Sequence, residues 1–166
     1  LAMDQHNIVS IANVAGNITF VNDTFCQVSE YSKDELLGKN HRILKSGKHP
    51  DTFYAEMWST IASGSVWQGE VCNRSKSGKN YWVATTTVPF LDGNGLPYQY
   101  ISVRTDITAI KEAQLVLIRN KDELEKRVQE RTEELQEREE VMHSITSAAQ
   151  DAVTMVNSNG NVTFWN

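Results

Sequence analysis

The sequence predicts an α+β fold continued by one long helix, and three observations carry that expectation. First, three β-rich runs are separated by Ser77-Gly78 and by Asp92-Gly93-Asn94-Gly95, both strong hairpin turns. Second, the short helical stretches stand together ahead of those runs instead of alternating with them, which argues against a parallel βαβ sheet. Third, residues 108–159 contain neither glycine nor proline, and residues 119–140 hold 15 of the chain's 37 charged side chains.

Each element follows in turn. Residues 8–22 read as strand, Gly16-Asn17 turn, strand. Asn22 or Asp23 can cap a short helix through Phe25 and Val28. Ser32 with Glu35 three residues on forms a capping box, and Gly38 ends that helix. Phe53, Met57, Trp58 and Ile61 stand at helical spacing within residues 51–63, and Gly64 stops the run. Strands are expected over residues 66–75, 80–91 and 96–106. With the opening hairpin they make five antiparallel strands.

Alternation assigns two faces to the last three strands. One carries Trp67, Val71 and Asn73, then Tyr81, Val83, Thr85 and Thr87, then Tyr100, Ser102 and Arg104. Aromatics mixed with a few polar groups suit a ligand pocket. The other face carries Trp82, Val88, Phe90, Ile101 and Val103. It is too apolar to be solvated, so a flanking helix or a partner chain is expected to cover it.

Composition narrows the function classes. The 166 residues carry a formal charge of −5, which gives no reason to expect nucleic-acid or membrane-surface binding. No apolar run approaches the roughly 20 residues of a membrane span. Cys26 and Cys72 form no CxxC pair and no disulfide framework, in keeping with a reduced cytoplasmic domain. No GxSxG, P-loop or metal-spaced His/Cys cluster occurs, so the residues offer no enzymatic constellation.

Residues 152–166 repeat residues 8–22, with seven of fifteen positions identical. This reads as a second copy of the domain that begins and is cut off. The expected organisation is a globular domain over residues 1–107, a long coiled-coil helix over 108–150 and the start of a second copy of the domain over 151–166.

The runs VNDTF, EYSKDELLGKN, W-x-GEVCNRSKSGKNYW and VPFLDGNGLPYQYISVRTDIT stand in the order and spacing of PAS sensory domains, and the chain resembles that family over residues 9–108. The resemblance implies a five-stranded antiparallel sheet cupping a ligand. Asp106-Ile107-Thr108 resembles the triad that joins a PAS core to its signalling helix.

GKNHRILKSG is similar to the flavin-holding segment of light-oxygen-voltage (LOV) photoreceptors. Asn40 and Arg42 match positions that there hold the ribityl chain and phosphate, and Asn73 matches an asparagine on the flavin ring. His41 stands where the photoreactive cysteine would be, so no thiol adduct can form at this position. Val83 and Arg104 replace the second asparagine and the glutamine of those receptors. The pattern GKN-x-x-x-L-x-S-G, a helix bearing Trp58, then W-x-G-x-x-x-NR-x-K from Trp67 is more similar to the FAD-binding redox sensors of nitrogen-fixation regulators and the aerotaxis receptor. That likeness implies FAD, held by Asn40, His41, Arg42, Trp58, Trp67, Asn73, Val83 and Arg104. FMN, haem through His41 or His49, and no cofactor at all remain open. An unperturbed imidazole titrates near pH ~6.5, so His41 could exchange a proton with a reduced flavin.

A helix this long and charged needs a partner surface. Its heptad seam takes Leu117, Leu124, Arg131, Arg138 and Ile145 at one position and Lys121, Val128, Leu135 and Met142 at the other. A parallel homodimeric coiled coil of modest stability is expected, with the arginines reaching acidic flanks. The expected whole is a cytoplasmic homodimeric sensor, reading redox state or oxygen and signalling to a downstream PAS or output domain. A cofactor-free interaction module is the alternative.

Overall fold

The computed structural model describes residues 7–153, with side chains described through residue 148. The opening hairpin consists of β1 (Ile8–Asn13) and β2 (Ile18–Val21). Asn13 Oδ1 closes its turn by accepting from the backbone N–H groups of Ala15 and Asn17. Gly16 takes φ +78°, a conformation open to glycine. A Cβ at this position would also lie 2.7 Å from the Trp58 ring.

α1 (Asp23–Ser29) is capped by Asn22, whose Oδ1 accepts from Phe25 N and from Val9 N, tying the helix start to β1. α2 (Lys33–Leu36) carries the complete Ser32–Glu35 capping box. Asn40 opens a 3-10 turn over His41–Leu44. α3 (Asp51–Ala62) follows and stops at Gly64, which takes φ +85°.

The meander comprises β3 (Trp67–Arg74), β4 (Asn80–Leu91) and β5 (Pro97–Asp106). The sheet is antiparallel throughout, in the order β2-β1-β5-β4-β3. β5 therefore lies at its centre, between the opening hairpin and the meander. The inner face packs Val71, Val83 and Tyr100 against Phe25, Leu36, Leu44 and Ile61 from the helical layer. Burial of each such side chain contributes on the order of 1.5–3 kcal/mol.

The exposed edge of β3 is covered by the segment between the 3-10 turn and α3. Lys45 bridges to Asn73, Ser46 Oγ donates to Cys72 O at 2.6 Å, and His49 Nε2 accepts from Cys72 N at 2.8 Å. An edge strand left bare would be open to pairing with other chains.

On the outer face, cover extends only over Trp82, where the first turn of the last helix crosses. Val88, Phe90 and Val103 remain exposed.

α4 (Thr108–Val153) spans 46 residues, about 69 Å at 1.5 Å per residue, and passes the end expected near residue 150. The chain divides into one compact unit through Ala113 and a second from Gln114. Within the second, the predicted seam residues Leu117, Leu124, Val128, Leu135 and Met142 are 49–68% exposed. Ion pairs one turn apart join Glu123 to Arg127, Lys121 to Glu125 and Lys126 to Glu130, and Arg131 reaches Glu134. The repeated hairpin expected from residue 151 lies, beyond the end of α4, outside the described residues.

Candidate functional site

A cavity of about 380 Å³ lies between the inner face of the sheet and the layer made by the 3-10 turn and α3. That volume falls within the range of small-molecule sites. The sheet wall is polar at its middle because a rung of short hydroxyl side chains crosses it, followed by one that carries Thr85 and Arg104. Ser10 on β1 stands opposite Ser102 on β5, which stands opposite Thr87 on β4. Thr87 and Ser102 share a hydrogen bond of 2.9 Å between their hydroxyls. In the next rung Arg104 lies opposite Thr85, and Thr85 opposite Gly69. The facing wall is apolar, with Leu44, Met57, Trp58 and Ile61. Trp58 meets Tyr100 edge to face at 5.8 Å between ring centroids.

Two hydroxyls in the cavity wall, Thr85 Oγ1 and Tyr54 Oη, are buried and have no hydrogen-bond partner among the described residues. Buried polar atoms are nearly always satisfied, so these two hydroxyls are available to hydrogen-bond a polar ligand in the cavity; Ser29 Oγ, also without a partner, lies outside its lining.

Arg104 Nη1 donates to Ser10 Oγ at 2.8 Å, and His41 Nε2 lies 3.3 Å from the same oxygen. A guanidinium only donates, so Ser10 accepts from Arg104 and keeps its hydroxyl proton for His41 Nε2. That arrangement places the imidazole proton on Nδ1. Arg104 is half-buried, lines the cavity, and its head group sits 5.7 Å from the Phe25 ring centroid. Burial pulls its pKa down to about 10, against the opposing pull of Tyr81. Burial pushes the Tyr81 hydroxyl up to about 12. The His41 imidazole is pulled down to about 3, by burial first and then by the Arg104 charge. At that value His41 is neutral at ordinary pH, unlike an unperturbed imidazole.

Six of the eight residues expected at the cofactor line this cavity: Asn40, His41, Arg42, Trp58, Asn73 and Arg104. Trp67 and Val83 stand in the core behind the wall, Trp67 packing edge to face on Phe53. Asn40 is occupied locally. Its Oδ1 accepts from Arg42 N and Nε, and its Nδ2 donates to Ala15 O and Asn17 Oδ1, so it shapes the cavity mouth. His49 is engaged at the β3 edge and stacks on Phe53, outside the cavity lining. Neither cysteine lines the cavity. Ser10 and Tyr54 did not emerge from the sequence. The alternation of Ile8, Ser10 and Ala12 in β1 could have pointed to Ser10, a small polar side chain on an otherwise inward apolar face. Tyr54 gave no comparable signal.

The junction with α4 is built from the triad. Thr108 N and Oγ1 both donate to Asp106 Oδ1, at 2.8 and 2.5 Å. Trp82 N donates to Thr108 Oγ1 at 2.9 Å, and Ile107 N donates to Trp82 O. Lys111 Nζ pairs with Glu70 at 2.5 Å and lies over the Trp82 ring. These contacts fasten the first turn of the helix to the outer side of β3 and β4.

Comparison with known proteins agrees with this geometry. A family model described as "PAS domain" matches residues 6–109. The chain is 38% identical over 105 residues to an aerotaxis receptor of Escherichia coli K12, covering 63% of this chain and 21% of that protein. It is 33% identical over 100 residues to a nitrogen fixation regulatory protein of Klebsiella pneumoniae, covering 60% and 20%. The chain thus spans about a fifth of the length of these relatives. Among solved structures, the PAS domain of a Colwellia psychrerythraea protein superposes with a TM-score of 0.59 at 22% identity, covering 65% of this chain and 92% of that one. An RNA-binding light-oxygen-voltage receptor gives a TM-score of 0.63 at 22% identity, covering 73% and 35%. These two likenesses bear on the fold alone. Among the described residues, no helix is long and apolar enough to cross a membrane.

Proposed function

The chain belongs to the PAS domain family, and on that premise we propose that it is a sensor module holding FAD in the inner cavity and reading redox state or oxygen. The observation that carries the reading is a ligand-sized cavity with two buried hydroxyls, on Thr85 and Tyr54, that lack partners. When bound, the flavin supplies a two-electron redox centre. The chain's own residues supply the rest. Asn73, Thr85 and Tyr54 offer hydrogen bonds to its polar edge, the Trp58 wall excludes water, and Arg42 stands at the mouth. A relative named an aerotaxis receptor supports an oxygen-linked input. His41 occupies the place of the LOV cysteine, and neither cysteine lines the cavity, so the reading does not run through a thiol photoadduct.

In this reading the signal leaves through Asp106-Ile107-Thr108 into α4. Two copies of α4 pair through Leu117, Leu124, Val128, Leu135 and Met142, and a PAS or output domain follows. A modestly stable coiled coil suits transmission, because two packings of similar energy can be biased by a small upstream change.

The absorption spectrum of the purified protein tests the input. Flavin bands in the blue that bleach on reduction by dithionite are expected. A Soret band would replace FAD by haem, and a colourless, folded dimer would favour the cofactor-free interaction module. Sedimentation tests the output side, and a monomer at tens of micromolar would remove the paired helix.

A further inference from the structure

The chain as a whole is acidic, at −5, but its cavity is not. Among the described residues, the side chains that line it include Arg42, Lys45 and Arg104 and no carboxylate. Lys45 is already paired with Asp51, and Arg42 reaches back to Asn40 at the mouth. Arg104 differs from both. It stands on the cavity wall, its one hydrogen bond goes to a neutral serine, and no ion pair balances it among the described residues. A cation facing a largely apolar cavity with no carboxylate in its lining is placed to meet an opposite charge on whatever the cavity binds. β5 is also the central strand, which fixes the backbone from which this side chain projects.

We propose that Arg104 is a charge-compensating binding residue, which holds the cavity's ligand in an anionic form when that ligand is reduced. This rests on the FAD reading above. Two electrons from dithionite, oxidised to sulfite, enter the ring together with one proton. The second proton stays in solvent, because the guanidinium supplies the positive charge that it would have brought. Other titratable groups around the site do not take its place. His41 on the 3-10 turn stays neutral, and Tyr81 on β4, Tyr54 on α3 and Tyr100 on β5 keep their protons, each pushed up by burial.

The test is the midpoint potential of the FAD-bound protein as a function of pH on the acid side of neutrality, below the range in which free reduced flavin itself loses its second proton. One proton per two electrons gives a slope of about 30 mV per pH unit, and two protons give about 60 mV. The wild type is expected near 30 mV. Arg104→Gln is expected near 60 mV with a lower midpoint at neutral pH, since a reduced anion loses its partner. Arg104→Lys, which keeps the charge, is expected to restore the shallow slope. A slope near 60 mV in the wild type overturns the proposal, and so does Arg104→Gln with an unchanged slope and midpoint. If the glutamine variant does not retain FAD, the wild-type and lysine proteins decide, a slope near 60 mV in either overturning it. Wild-type protein that takes up no FAD is a different failure, because it overturns the flavin reading itself and the inference with it.

Discussion

The residues through Ala113 and those from Gln114 onward solve the burial of apolar side chains in opposite ways. In the first unit Ile18, Phe25, Leu36 and Val83 are at most 1% exposed, each enclosed by the sheet and the helices over it. In the second, Leu117, Leu124 and Met142 are more than 60% exposed. Charges divide the same way. Along α4 several carboxylates have a lysine or arginine one turn away, each such pair contributing roughly 0.3–0.5 kcal/mol. In the domain Arg104, on the cavity wall, has no ionic partner among the described residues. The domain therefore covers the inner face of its sheet but leaves a cavity cation unpaired, whereas the helix pairs several of its charges but leaves its apolar seam uncovered. Both gaps are the kind that a binding partner fills.

Substitutions in the two apolar sets break this comparison most directly. Phe25→Ala is expected to lower the stability of the domain by about 3–5 kcal/mol, read from urea unfolding followed by tryptophan fluorescence. Leu124→Ala should leave that transition within about 0.5 kcal/mol of the wild type. Comparable losses from both would mean that the helix stabilises the domain and that the division is false.

A pH series separates the charges. His41 is held near 3 in the fold against about 6.5 unfolded, so the unfolded chain takes up the proton more readily. Its contribution is complete above pH 6.5 and is lost as pH falls from there toward 3. Glu35, held near 2 by its bonds to Lys76 and to Ser32, loses its contribution only from about 4.5 downward. His49, also pulled down by burial, acts in the upper window. The difference between wild type and His41→Gln between pH 6.5 and 4.5 therefore isolates His41. The variant's unfolding midpoint should fall less steeply there, and parallel curves would place the imidazole in contact with solvent.

The seam sharpens the comparison from the other side. If α4 pairs, each leucine covered contributes about 1.5–3 kcal/mol, so Leu124→Glu should weaken self-association by tenfold or more. Helicity should fall with it in far-UV circular dichroism, while domain fluorescence stays unchanged. A variant that is monomeric yet fully helical would show that α4 needs no cover.

The five strands and their order along the chain were legible because turn chemistry and alternation are local. Asp92-Gly93-Asn94-Gly95 closes its hairpin by an Asp92 side chain that accepts from Asn94 N and Leu96 N, an interaction written into four consecutive residues. The polar face of the cavity was legible for the same reason, through the alternation that places Thr85, Ser102 and Arg104 together. What local pattern could not supply was the depth of a side chain. The protonation of His41 depends on Arg104, 63 residues later, and on burial that no window of sequence reports. The separation of Asn73 from Trp67 and Val83, all on one strand face, arises because α3 packs over part of that face and leaves the rest open.

The smallest effect tests where the two regions meet. Thr108→Val preserves shape but removes the oxygen that accepts from Trp82 N and the hydroxyl that donates to Asp106. A backbone N–H losing its partner at a half-buried site costs about 1 kcal/mol. Lys111→Met removes only a partly exposed pair with Glu70, which contributes less than about 1 kcal/mol. If the junction is a fastening and not merely a continuation of helix, Thr108→Val should raise hydrogen exchange at the amides of the first turn of α4, through Ala113. It should leave exchange from Gln114 onward unchanged, because that part owes nothing to Trp82. Lys111→Met should change the first turn by a smaller factor. Equal loss of protection along the whole of α4 in either variant would mean that the domain and helix melt as one unit, and the boundary at Ala113 would then be one of shape alone.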